Sequence, residues 1–300
     1  MGKLGKGAAA VLATSTVIGL AGKELIDLNL KHSFEEQKTW MIEYISSPKY
    51  RERIKRSIAR GFFEKGEQEL TEEEKQALRT QGLEELFPTN IDTSDVSDEL
   101  VNDIISKRLE NVQNAKLGIV NFIDEGFFTV EYPFDLAITR GIYVTPEYSD
   151  KLRRGIDPWF FSKSAEKRIK EGKNILLERA ANFFDKVRYP SLAAHELSHA
   201  STSIDENLEP KAQNITRERI VRESDSLGEL TEVKANLDAF RFELFKRGIY
   251  DASFEDFNQT HLDKIKKDKK FRISHPFQRL FNTIEQDMGY DLIWYMNNIP

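Results

Sequence analysis

Apolar and polar positions along this chain fall into successive regimes. Residues 7 to 22 (GAAAVLATSTVIGLAG) carry no charge, are preceded by Lys3 and Lys6, and are closed by Lys23 and Glu24. Residues 25 to about 115 mix apolar side chains with dense charge in a pattern that predicts helices. Local signals agree: Thr71 followed by Glu74 has capping-box spacing at the head of TEEEKQALRTQGLEELF, and Ser33 followed by Glu36 repeats it. Ser47 and Pro48 supply a cap and a first-turn proline for KYRERIKRSIARGFF, and Pro88 to Ser97 reads as a polar loop. From Leu117 the runs become short, β-branched and aromatic, with Gly and Pro between them. GIVNFI, GFFTVEY, AITRGIYVT and KNILLER (173–179) read as strands. Helical patterns return from about residue 181. There Leu230, Val233, Leu237, Phe240 and Leu244 form one apolar stripe on a helix that ends near Gly248.

Strands followed by helices predict an α+β fold. The expected organisation is an N-terminal segment over 1–24, a charged helical region over 25–115, and a domain over 116–300 with a small sheet and a motif-bearing helix. Whether the charged helices wrap that domain or bind a partner is open at this level. The N-terminal segment has three readings: a secretory signal cleaved near Ala21, a weak membrane anchor, or an amphiphilic or disordered tail that is never exported. The run is short for a span of about 20 residues. The first two readings favour secretion or membrane association over the cytoplasm.

Composition narrows the chemistry. With 300 residues, 39% of them hydrophobic and 20 of them Phe, the chain can bury a sizeable core, so wholesale disorder is excluded. A net charge of −6 argues against a dedicated nucleic-acid binder, and the basic run KIKKDKKFR (264–272) reads as a solvated face. There is no cysteine, so thiolate metal sites, disulfides and a cysteine nucleophile are excluded. Any metal must be held by carboxylates and by the five His.

Two of those five His stand in His195-Glu196-Leu197-Ser198-His199. On a helix, residues four apart project from one face, so both imidazoles can reach one ion. Glu196, one position round, can serve a water beside the ion without ligating it. Ala193, Ala194 and Ala200 leave room around the pair. A catalytic zinc site takes three protein ligands and keeps a position for water. Glu232 is the leading third ligand, at the edge of the later helix's apolar stripe, with Asn236 and Ala239 on its face. Asn236 or Asp238 could accept a hydrogen bond from a ligand imidazole. Glu229 competes from the preceding turn. Asp205 competes from six residues beyond His199, although Thr202 stands where that geometry calls for Gly. His32 and His261 sit in charged helical contexts and read as solvated.

The motif HELSH with the downstream segment EVKANLDAFR resembles the gluzincin class of zinc metallopeptidases, and the Glu-x-x-Ala-Asn form is similar to small gluzincins that cleave phage repressors. WMIEYISSPKY together with TEVKANLDAFR is also similar to uncharacterised metallopeptidase-like proteins of tailed phages of Bacteroidota. The specific resemblance covers Tyr189 to Arg241. It implies a zincin-like domain with one Zn2+ per chain held by His195, His199 and Glu232, Glu196 as general base, and a peptide or protein substrate. A strand, AITRGIYVT or NILLER, would take an extended substrate by strand addition. The transition-state stabiliser would come from downstream, with His275, Tyr250 and Tyr290 as candidates. Association with a virion is a further implication. Thermolysin-like enzymes carry Asp four residues after the ligand Glu, where this chain has Asn236. The competing readings are a non-catalytic, zinc-stabilised structural or virion-associated scaffold, and a metal-free helical interaction protein.

Overall fold

The computed structural model describes residues 4–63, 70–120, 141–154, 163–178, 191–202, 215, 230–267 and 291–300. Over these the architecture is mixed α and β and mostly helical, with eleven helices and one small sheet of three strands. In chain order they are α1 (Leu4–Ile45), α2 (Pro48–Ala59), α3 (Glu72–Thr80), α4 (Leu83–Leu86), α5 (Asp98–Asn114), β1 (Leu117–Val120) and β2 (Gly141–Tyr143). They continue with α6 (Pro146–Arg153), α7 (Lys163–Lys170), β3 (Ile175–Glu178), α8 (Leu192–Thr202), α9 (Leu230–Lys246), α10 (Gln259–Lys267) and α11 (Asp291–Asn298).

Helix starts follow local chemistry. Ser47 accepts from the Tyr50 amide with Pro48 in the first turn of α2, and Thr71 and Glu74 close a reciprocal capping box on α3. The stretch between α4 and α5 holds the expected polar loop. Ser33, by contrast, caps nothing. It lies inside α1, which runs unbroken from Leu4 to Ile45, and its hydroxyl and carbonyl accept from Gln37 one turn on. The capping-box spacing was present, but the residues before it are themselves good helix formers, so no chain entry occurs there. Among the described residues no helix is long and apolar enough to cross a membrane.

In the sheet β3 is central. β1 pairs with it in parallel (Leu117 with Ile175) and β2 antiparallel (Gly141 with Leu177, Tyr143 with Ile175). Strand alternation sorts the side chains onto two faces. Val120, Ile142, Val144 and Leu176 join Leu152, Ala165 and Ile169 of α6 and α7 in a small core on one face. Ile119, Tyr143, Ile175 and Leu177 face the main core on the other. GFFTVEY and the first four residues of AITRGIYVT (137–140) lie outside the described residues.

The main core runs continuously from Leu30 of α1 to Ile299, so the charged helices and the motif-bearing helix share it. At its centre is α8, packed against α9, α5, α1 and the β2–β3 side of the sheet. Such crowding is possible because Ala193, Ala194, Ser198, Ala200, Ser201 and Thr202 are small, and all are buried. The predicted stripe of α9 (Leu230, Val233, Leu237, Phe240, Leu244) is at most 5% exposed throughout. That helix ends where Gly248 takes a positive φ of 63°, a conformation glycine adopts without penalty. His261 departs from expectation. It is 4% exposed, its Nδ1 accepts from the Asn258 amide, and it packs on Tyr250 and Phe257. The alternation of Lys and Asp around it concealed an apolar face of His261, Leu262 and Ile265 on α10.

Candidate metal centre

Two helices supply the centre. On α8, His195 and His199 are half-buried while Glu196, Leu197 and Ser198 between them are buried. On α9, Glu232 and Asn236 are the half-buried pair one turn apart, with Val233, Lys234 and Ala235 buried between. Each helix therefore turns an i,i+4 pair toward the same opening. The Nε2 atoms of His195 and His199 are 3.1 Å apart, and Glu232 places one carboxylate oxygen 3.2 Å from His199 Nε2 and the other 3.6 Å from His195 Nε2. Donors at about 2.0–2.1 Å on one tetrahedral ion stand roughly 3.3 Å apart. Two imidazole nitrogens and a carboxylate oxygen, all within 4.8 Å of one another, are a donor set that could hold a metal ion.

Burial and the members of the group together set one another's protonation. Burial, and after it the neighbouring His199, push His195 down to about 4, so its ring stays neutral with a lone pair to give. Asn236 hydrogen-bonds the same ring and fixes its orientation. Burial also works to lower His199, but the hydrogen bond and charge of Glu232 outweigh it and raise its pKa. Glu232 moves the opposite way: burial favours its neutral form, yet His199 and His195 hold the carboxylate below its ordinary range. Glu196 is 5% exposed. Burial drives its carboxyl up to about 7, with His199 and the Tyr143 amide pulling it back and Glu232 adding to the rise. A carboxyl near 7 can both take and give a proton around neutral pH.

The structure thus brings together His195, Glu196, His199 and Glu232. Tyr250 is elsewhere: 2% exposed in the aromatic core, it accepts from Arg53 through its hydroxyl at 2.9 Å. His32 is exposed on α1. Asp205, Glu229, His275 and Tyr290 lie outside the described residues. Asp238 touches neither imidazole. It is fully buried behind the centre, where it accepts from Ser198, Lys234 and Arg241.

Sequence reasoning missed Lys234 and Ser198 as a pair. Lys234 Nζ donates to Asp238 at 2.6 Å and to Ser198 Oγ at 3.1 Å, and Lys234 is only 2% exposed. Its spacing of four from Asp238 was the available signal, since a helix brings such a pair together. Gly141 was also missed. It sits on β2, at the edge of the described sheet, against Glu196, and nothing in the run AITRGIYVT marks it. No protein family, no curated protein and no solved structure matches this chain.

Proposed function

We propose that the protein is a zinc-dependent hydrolase of peptide bonds, zincin-like in architecture, with His195, His199 and Glu232 as the zinc ligands. The observation that carries this reading is a group of three convergent donors with a buried carboxyl, Glu196, beside it on the same helix as the two His. Among the described residues three donors converge, the number of protein ligands used by catalytic zinc, whereas structural zinc is usually closed by four. Two imidazoles and a carboxylate also suit ferrous iron, but a redox centre gives Glu196 no task, and hydrolysis does.

A bound zinc ion would supply a Lewis acid for the scissile carbonyl and lower the pKa of a water toward 7. The rest is the work of this chain. Glu196 accepts the proton that the attacking water gives up and hands it to the departing amine. Asn236 holds the His195 ring, and Glu232 keeps a negative charge against both imidazoles. β2 lies at the edge of the described sheet, next to α8, and an extended peptide would lie beside it. The substrate class we propose is peptide or protein.

The test is metal analysis with hydrolysis of an unstructured protein or a quenched fluorescent peptide pool. The full chain should carry about one zinc and the His199→Ala variant none. Glu196→Gln should keep the zinc and lose about 10²- to 10⁴-fold in kcat. A wild type that takes up no zinc, or a Glu196→Gln variant as active as wild type, removes the reading.

A further inference from the structure

We infer that β2 aims the base, with Gly141 and the Tyr143 amide as positioning groups for Glu196. The inference rests on the hydrolase reading above. Its first support is the direction of the strand's backbone. Val144 donates to the Asn174 carbonyl at 2.8 Å and Ile142 stands opposite Leu176, so these alternate residues point their backbone groups at β3. In an antiparallel pair the residues between them point theirs the other way. Those residues are Gly141 and Tyr143, and the Tyr143 N–H meets the Glu196 carboxylate.

The second support is space. Alternation puts Gly141 on the face that meets α8. A Cβ there would stand 2.6 Å from Glu196 Oε1, 2.9 Å from its Cγ and 3.1 Å from its Cδ. The clash reaches into the stem of the side chain, so swinging the carboxylate alone does not relieve it. Glu196 occupies the volume a side chain at 141 would need, and at 5% exposure it has little room to retreat. Glycine at 141 is thus what lets the carboxylate lie under the strand, and the Tyr143 amide is what points it.

Glu196 takes the N–H that Tyr143 turns away from β3, so the carboxylate is tied to the strand at that position.

Two measurements test this. The first needs neither metal nor turnover: amide exchange at Tyr143 in the full-length, metal-free chain. Replacing Glu196 by Ala removes the acceptor and should speed that exchange about fivefold or more; an unchanged rate overturns the inference. The second is kinetic. Gly141→Ala should lower kcat about 10²-fold, the effect of shifting a reacting group by about 1 Å, while zinc content and KM stay at wild-type values. Placed on Glu196→Gln, the same substitution should change nothing further. A wild-type kcat for Gly141→Ala, or an equal loss in both backgrounds, overturns it. If the wild type hydrolyses no peptide the hydrolase reading fails, and the exchange measurement still decides the contact between strand and carboxylate.

Discussion

The Ser198 hydroxyl donates to the Asp238 carboxylate across 2.7 Å, a bond that runs from α8 to α9 behind the candidate metal centre. Lys234 donates to both partners, and Arg241 adds a bond to the second carboxylate oxygen at 2.7 Å. All four residues are at most 2% exposed. Ser198 adjoins His199 and Lys234 lies two residues beyond Glu232, so this cluster fixes the separation of the helices that carry the ligands. Arg241 extends the anchor by donating to the Met296 and Ile299 carbonyls at the end of α11.

Substitutions in the cluster should separate its two duties. Asp238→Ala leaves Lys234 and Arg241 buried without their carboxylate, and breaking such a group costs about 3–5 kcal/mol. Urea unfolding of the metal-free chain should show that loss. Ser198→Ala removes two hydrogen bonds, the one given to Asp238 and the one accepted from Lys234, about 2 kcal/mol of stability, and loosens the link nearest His199. It should weaken zinc binding by about 10- to 100-fold in competition with a chelator. Unchanged zinc affinity in Ser198→Ala would mean that the cluster holds the fold and has no hold on the ligands.

The same cluster predicts an acid limb of stability. Burial pushes Asp238 upward, but Lys234 and Arg241, with the Lys234 and Ser198 hydrogen bonds, overcome it and hold the carboxyl at about 2, below its ordinary 3.8. A folded-state pKa below the unfolded one means the unfolded chain binds the proton more readily. Its contribution is therefore complete above about pH 4 and lost as pH falls toward 2. Other carboxylates titrate there too, so the comparison is wild type against Asp238→Asn by urea unfolding from pH 2 to 6. The gap between the two should narrow on acidification, and a constant gap contradicts the assignment.

Much of the centre could be read from the sequence because its rules are local. The four-residue spacing of His195 and His199 is a helix property, and the α9 stripe placed Glu232 at a boundary between buried and open faces. What escaped needs tertiary information. Ser198 and Lys234 are 36 positions apart, and neither residue advertises the other. Gly141 is meaningful only once β2 lies beside Glu196. Ser33 and His261 failed in the same way: local spacing and local charge suggested a cap and a solvated ring, while the continuation of α1 and the packing of α10 decided otherwise.

Metal should stabilise the fold, because the ligands come from two helices that unfolding separates. Zinc at about a hundredfold over its dissociation constant adds about 2.7 kcal/mol, so a chelator should lower the melting temperature measurably. His199→Ala should show no difference with and without chelator. A wild type whose melting temperature ignores added zinc contradicts the three-ligand assignment.

The N-terminal helices should prove inseparable from the centre. Gln37 of α1, 2% exposed, accepts from the Ala194 amide at 2.8 Å and so holds the first turn of α8, one residue before His195. At the other end Asn111 of α5 donates to the Ser201 carbonyl at 3.3 Å. Lys38 ties α1 to the end of α5 by donating to the Gln113 and Ala115 carbonyls at 2.8 and 2.9 Å. A fragment over residues 116–300 would lose both grips and expose the apolar sides of α8 that α1 and α5 cover. Such a fragment should neither melt cooperatively nor retain zinc. Within the full chain, Gln37→Leu strands a buried N–H, a loss of about 1–3 kcal/mol, and should weaken zinc binding. Gln37→Glu restores an acceptor at a helix N-terminus, where negative charge is favourable, and should recover most of both. A fragment that folds and binds zinc as tightly as the whole chain would show instead that the helices are a detachable addition to the site.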